Sequence, residues 1–181
     1  MNVLDIAQNS VAAGAQLTQI TLTIQTQSKK LTLTVADNGK GMSPEMLATV
    51  TDPFTTSRTT RKVGLGLPLL KMAAEMTSGS MHITSTEGQG TTVQATFTLG
   101  HIDLMPLGDM SGTIVSLVQC NPEKDFVYTA AADGDSFTAD TREMRKILGG
   151  EVSFAEPAVA LWLREYLEEN TKEILKRSIV L

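Results

Sequence analysis

The chain has 181 residues, 41% of them hydrophobic and 19% charged, with a formal net charge of −5. That balance is an ordinary globular one, and an acidic chain without a basic stripe does not read as a nucleic-acid or membrane-surface protein. A lone cysteine, Cys120, excludes an internal disulfide framework, and no apolar run is long enough to span a bilayer, so a cytoplasmic protein is expected.

The opening stretch LDIAQNSVAAGA reads as a helix, because Leu4, Ala7 and Val11 recur at helical spacing and Gly14 stands where a helix stops. Asp5 and Asn9 lie one turn apart on a neighbouring face, beside only the small side chains of Ala12 and Ala13. Ile20, Leu22 and Ile24 then alternate with Thr21, Thr23 and Gln25, and Leu31, Leu33 and Val35 alternate with Thr32 and Thr34. This period of two predicts two half-buried strands joined as a hairpin at 27–30. A short helix is expected over 44–50, then an irregular segment through TDPFTTSRTTRKVGLG. A second helix is expected over 68–76, with proline in its first turn. Strands follow around 80–85 and 91–99, the second burying Val93, Ala95, Phe97 and Leu99. Residues 1–99 thus read as α+β, with helices on one face of a mainly antiparallel sheet. The other face, rich in Thr and Gln, is either wet or lightly covered.

Residues 100–181 change character and are expected to form a small α/β C-terminal domain. Asp109 is placed to cap a helix carrying Ile114, Val115 and Val118, and DFVYTAAADGDSFTAD reads as a hairpin about Asp133-Gly134. Asp140 and Glu143 have the spacing of a capping box. A last helix from Pro157 carries Val159, Trp162, Leu163, Tyr166 and Leu167 on its packed face. Cys120 reads as a small buried apolar residue.

Three stretches carry candidate chemistry. In DNGKGM, directly after a strand, Gly39 and Gly41 allow tight turns and close approach of a ligand, and Asp37 leaves the strand end aimed into that space. A carboxylate only accepts hydrogen bonds, so it suits the exocyclic amine of adenine and repels the carbonyl of guanine; taken alone, the same residues also read as a plain turn. In GLGLPLLK, Gly64 and Gly66 lead into a helix start whose free N–H groups make a phosphate seat. Between the two, Arg58, Arg61 and Lys62 belong either to a lid over a triphosphate or to a solvated basic loop. In the opening helix, the Asn9 amide oxygen can ligate magnesium and Asp5 can take a proton from water, or both are simply a polar helix edge.

In combination and order, these stretches resemble the histidine-kinase-like ATPase clan, the GHKL group of gyrases, heat-shock chaperones, MutL-type mismatch-repair proteins and sensor histidine kinases. DIAQNSVAAGA is similar to the clan's Asn box and DNGKGM to its first glycine box. DPFTTS and GLGLPLLK resemble the phenylalanine and second glycine boxes, and EGQGTTVQATF the closing Gly-x-Gly-Thr strand. The resemblance covers residues 1–99 and implies a Bergerat-type two-layer α/β sandwich that binds ATP or ADP with Mg2+. It implies that Asn9 is the metal ligand and Asp37 the adenine reader. Gly39, Gly41 and Met42 would shape the pocket, Gly64, Leu65, Gly66 and Leu67 would seat the phosphates, and Thr91 or Thr92 would bind near adenine. Asp5 stands where hydrolytic members keep a glutamate, and Lys62-Val63 where kinases usually have Gly-Thr. Neither His82 nor HIDLMPL, from His101, matches a phosphoacceptor context. The expected function is therefore a slow Mg-ATPase or ATP-dependent switch. The alternatives are a phosphotransferase acting on a separate protein, or a nucleotide-sensing module. If a protein partner exists, the Trp162–Tyr166 helix is the expected contact.

Overall fold

The computed structural model describes residues 3–51, 65–149 and 153–176. In chain order its elements are α1 (Val3–Ala12), β1 (Leu17–Gln25), β2 (Lys30–Asp37), α2 (Pro44–Thr49), α3 (Gly66–Met76) and β3 (Ser80–Thr86). There follow β4 (Gly90–Thr98), α4 (Met110–Cys120), β5 (Asp125–Ala132), β6 (Asp135–Asp140), α5 (Thr141–Ile147) and α6 (Pro157–Lys176).

The strands form one mixed sheet in the order β3-β4-β2-β1-β5-β6. The antiparallel register of β1 with β2 sets Ile20 opposite Val35, Leu22 opposite Leu33 and Ile24 opposite Leu31, so their apolar alternations coincide on one face. All six of these side chains are buried. On the other face Thr21, Thr23, Thr32 and Thr34 are half-buried, while Gln19, Gln25 and Gln94 are exposed. That face is wet.

Residues 125–140 extend this same sheet. β5 pairs in parallel with β1, setting Ile20 beside Tyr128 and Leu22 beside Ala130, and β6 returns antiparallel through the expected Asp133-Gly134 turn. The reason is visible in β5: Phe126, Tyr128, Ala130 and Ala132 are all buried, on the sheet face that helices α4, α5 and α6 cover. Helix α4 joins the halves, packing on both α1 and α6. A continuous apolar core runs from Ile6 and Leu70 through Leu22 to Leu117, Tyr128, Leu163 and Leu167.

Local signals act largely as expected. Ser43 caps α2 by accepting from Met46 N, and Asp109 caps α4 by accepting from Gly112 N at 2.7 Å. Helix α3 begins two residues before the expected start, which leaves Pro68 among the first-turn residues whose N–H groups have no helical partner. Three expectations need correction. The capping box at Asp140 is only half formed: Asp140 accepts from Arg142 N at 2.9 Å, but Glu143 pairs with Lys146 at 2.8 Å instead of reaching back. Cys120 is exposed, because it falls at the last position of α4, off the face that buries Leu117 and Val118. Trp162 is 43% exposed, stacked at the margin of α6 on Tyr166 (5.5 Å between centroids), while Val159, Leu163 and Leu167 carry the packing.

Candidate nucleotide site

One end of the sheet, where β2 ends and β4 begins, meets the helix layer in a cavity of about 470 Å3. That is an ordinary size for a small-molecule site. Its walls come from α1 (Ile6, Asn9, Ala12, Ala13), the loop after β2 (Asp37, Lys40, Gly41, Met42), α2 with its end (Met46, Val50), Leu67 of α3, and Thr91 and Val93 of β4. The lining is mostly apolar, with Asn9, Asp37, Lys40 and Thr91 as its polar groups.

Asp37 is the last residue of β2, and two donors fix its carboxylate. Ser10 Oγ donates to Oδ2 at 2.7 Å, and Gly39 N donates to Oδ1 at 2.8 Å. Each carboxylate oxygen can accept more than one hydrogen bond, so accepting capacity remains toward the cavity. Ser10 is buried on α1 and was not singled out by its sequence context; only the packing of α1 over the end of β2 brings it to Asp37.

The loop holds its shape by near contact of backbones. Gly41 has φ +65, and a Cβ there would lie 2.0 Å from Thr86 O. Gly90 has φ +113, and a Cβ there would lie 1.9 Å from Asp37 O. Both are positions that only glycine fills without displacing main chain. Gly39 packs differently: a Cβ on it would sit 3.0 Å from Ala13 Cβ, Ala13 O and Asp37 Oδ1. Ser85 Oγ ties the loop to the sheet by accepting from Met42 N at 2.9 Å, donating to Gly90 O at 3.0 Å and lying 2.8 Å from Thr91 Oγ1. The small residues Ala12 and Ala13, unexplained by helix packing alone, are cavity wall.

The remaining candidates separate. Thr91 faces the cavity, whereas Thr92, one residue on, falls on the opposite face of β4 beside Ala36 and Thr84. Leu67 is in the lining; Leu65 is 60% exposed and outside it. Gly66, the first residue of α3, packs against α1, where a Cβ on it would be 3.1 Å from Asp5 Cβ. Asp5 therefore stands beside the N-terminus of α3 and is not among the lining residues. Gly64 and the segment with Arg58, Arg61 and Lys62 lie outside the described residues. His82 is exposed on β3, and His101 sits in a turn, its Nδ1 accepting from Asp103 N at 3.2 Å. Lys40, Ser85 and Gly90 were missed as site residues; the two glycines of EGQGTT mark the place of Gly90, but nothing local marks Lys40 or Ser85.

Residues 2–101 match the family described as histidine kinase-, DNA gyrase B- and HSP90-like ATPase. Sporulation kinase D of Bacillus subtilis is 36% identical over 94 residues, which cover 52% of this chain and 18% of that protein. A sensor histidine kinase of Rickettsia conorii described as putative and NtrY-like is 30% identical over 104 residues, covering 58% of the chain and 17% of the relative. Histidine protein kinase DivJ of Caulobacter vibrioides is 35% identical over 95 residues, covering 50% and 16%. The chain thus spans under a fifth of the length of these relatives. Among solved structures, the N-terminal domain of a DNA repair protein superposes with a TM-score of 0.50 at 14% identity, over 75% of this chain and 50% of that one. That likeness is one of fold.

Proposed function

Since the chain belongs to the histidine kinase-, DNA gyrase B- and HSP90-like ATPase family, we propose that it binds ATP with Mg2+ in the cavity between α1, the glycine loop and β4, and hydrolyses it slowly. The observation that carries this reading is the Asp37 carboxylate, fixed by Ser10 and Gly39 at the wall of a largely apolar cavity. An acceptor-only group with aliphatic neighbours suits a flat base that presents an exocyclic amine, as adenine does. Met42, Met46, Val93 and Leu67 line the cavity as apolar groups that would pack on the ring, and the Thr91 hydroxyl would offer the base a polar partner. The start of α3, with Leu65, Gly66 and Leu67, supplies backbone N–H groups for the phosphates, and Lys40 adds a positive charge at the rim.

Asn9 offers one amide oxygen. Among the described residues no group of three His, Cys, Asp or Glu side chains is placed to hold a metal. That donor set suits Mg2+, which takes few protein oxygens and otherwise keeps phosphates and water. The ion, when bound, neutralises charge on the phosphates. Asp5, beside Gly66 and one turn from Asn9, is the chain's candidate base for the attacking water, and its short side chain agrees with a slow rate.

A second reading, transfer of the γ-phosphate to a separate protein, is favoured by the kinases among the relatives. Under it the stacked Trp162 and Tyr166 are the candidate partner contact. No helix among the described residues is long and apolar enough to cross a membrane, and the proposed setting is the cytoplasm. Incubation with γ-labelled ATP and Mg2+ tests these readings. Free phosphate that disappears in Asp5→Asn supports hydrolysis, label on an added protein supports transfer, and retention of intact ATP supports a sensor. No binding at all would remove all three.

A further inference from the structure

We propose that Lys124, outside the segment that matches the family, is a positioning residue for the nucleotide cavity and acts through the turn after α1. The proposal rests on the ATP-binding reading for its functional part. Lys124 Nζ donates to Ala15 O at 2.8 Å and to Val11 O at 3.4 Å. These carbonyls lie at and just past the C-terminal end of α1, where the helix dipole favours a cation; Val11 O also accepts from Gly14 N at 3.0 Å, so Ala15 O is the main acceptor for Lys124. Lys124 itself is half-buried and comes from the loop entering β5.

The same turn is gripped from the cavity side. Lys40 N donates to Ala13 O at 3.0 Å, and Asn38 Oδ1 accepts from both Gln16 N and Leu17 N at 2.9 Å. Gln16 O in turn accepts from Asp125 N at 2.8 Å. Residues 13–17 are therefore a joint, with the glycine loop on one side and the start of β5 on the other. The β5 side is fixed from further away. Arg145 Nη1 pairs with Asp125 Oδ1 at 2.6 Å, and its Nη2 donates to Pro122 O at 3.0 Å and Lys124 O at 3.4 Å. Its guanidinium lies 5.4 Å from the ring centre of the buried Phe154.

The joint has little slack. A Cβ on Gly39 would already meet Ala13 at 3.0 Å, so a shift of the turn toward the loop moves Gly39, whose N–H orients Asp37. A shift away opens the wall made by Asn9, Ala12 and Ala13. Either displacement changes the spacing between Asp37 and Asn9. Lys124 sets their spacing by pinning the end of the helix that carries Asn9.

The test compares Lys124→Met, Lys124→Gln and Lys124→Arg in the full chain, at a temperature where circular dichroism shows each fully folded. ATP affinity is read by calorimetry, and the Gly39 and Lys40 amide resonances are read without nucleotide. Lys124→Met is expected to weaken ATP binding roughly tenfold and to displace both resonances, with Lys124→Gln between it and wild type and Lys124→Arg within about twofold of wild type. Unmoved resonances with unchanged affinity in both the Met and Gln variants would overturn the proposal, as would an Arg variant as weak as the Met variant. Should the wild-type protein bind no ATP, the nucleotide reading falls, and the two resonances alone decide whether Lys124 positions the loop.

Discussion

Ser10 Oγ donates to Asp37 Oδ2 at 2.7 Å, and this one bond joins the helix that carries Asn9 to the carboxylate proposed to read adenine. Ser10→Ala removes it and is expected to weaken ATP binding by roughly tenfold to a hundredfold, the value of one hydrogen bond to a charged group. Asp37→Asn does more, because an amide N–H₂ turned to the cavity meets the adenine amine as donor against donor; a loss of roughly a hundredfold or more is expected. Calorimetric titration checks both, and equal affinities for wild type and Asp37→Asn would remove Asp37 from the site.

Gly90 and Gly88 make a paired test of backbone crowding. Both have positive φ, but a Cβ on Gly88 meets nothing within 4 Å, while one on Gly90 lies 1.9 Å from Asp37 O. Gly88→Ala is expected to cost about 1 kcal/mol, and Gly90→Ala roughly 3 kcal/mol or more. Urea unfolding of the two variants measures the difference, and similar midpoints would contradict the close approach of β4 to the end of β2.

The two halves of the sheet should unfold together. Trp162, the chain's one tryptophan, reports on α6. Leu22 sits on β1, fully buried between Leu33 and Ala130. Leu22→Ala is expected to cost about 2–5 kcal/mol and to lower the denaturation midpoint seen by Trp162 fluorescence as much as that seen by circular dichroism. A Trp162 transition that ignores the substitution would show that α6 unfolds independently.

Stability should fall at both ends of the pH scale for identifiable reasons. The hydrogen bond from Arg142 holds the Asp140 carboxyl below its ordinary value, so its contribution is present above the unfolded-chain pKa of about 4 and fades as pH drops through the lower folded value. Burial raises the Tyr128 phenol, only partly offset by Thr171. The folded state therefore keeps a proton that the unfolded chain releases above about pH 10, and stability declines as pH rises from there. Asp140→Asn should flatten the acid limb and Tyr128→Phe the alkaline one, measured as thermal midpoint against pH.

What was legible in the sequence depended on the range of the force involved. The Thr/apolar alternation of β1, β2 and β4 and the Asp133-Gly134 turn are local, and they appear where residue pattern puts them. The parallel union of β1 with β5 joins residues over a hundred positions apart, and no local pattern states it. The same divide runs through the site. Asn9, Asp37 and Gly41 stand out as candidates by their neighbours in the chain, whereas Ser10, Ser85 and Lys124 stand out only through partners that folding brings to them. Trp162 misled because helical spacing puts it beside the packed stripe without saying how far the sheet extends beneath it.

The parallel β1–β5 ladder also bears on where this chain can be cut. The family match stops at residue 101, and a protein trimmed there would lose the strand flanking β1 while keeping all of the cavity's lining residues. Ile20, Leu22 and Ile24 would then border a bare ladder of unpaired N–H and C=O groups, the kind of strand that recruits another chain. Such a fragment would contain every side chain that lines the cavity and still be prone to aggregate before it could be assayed.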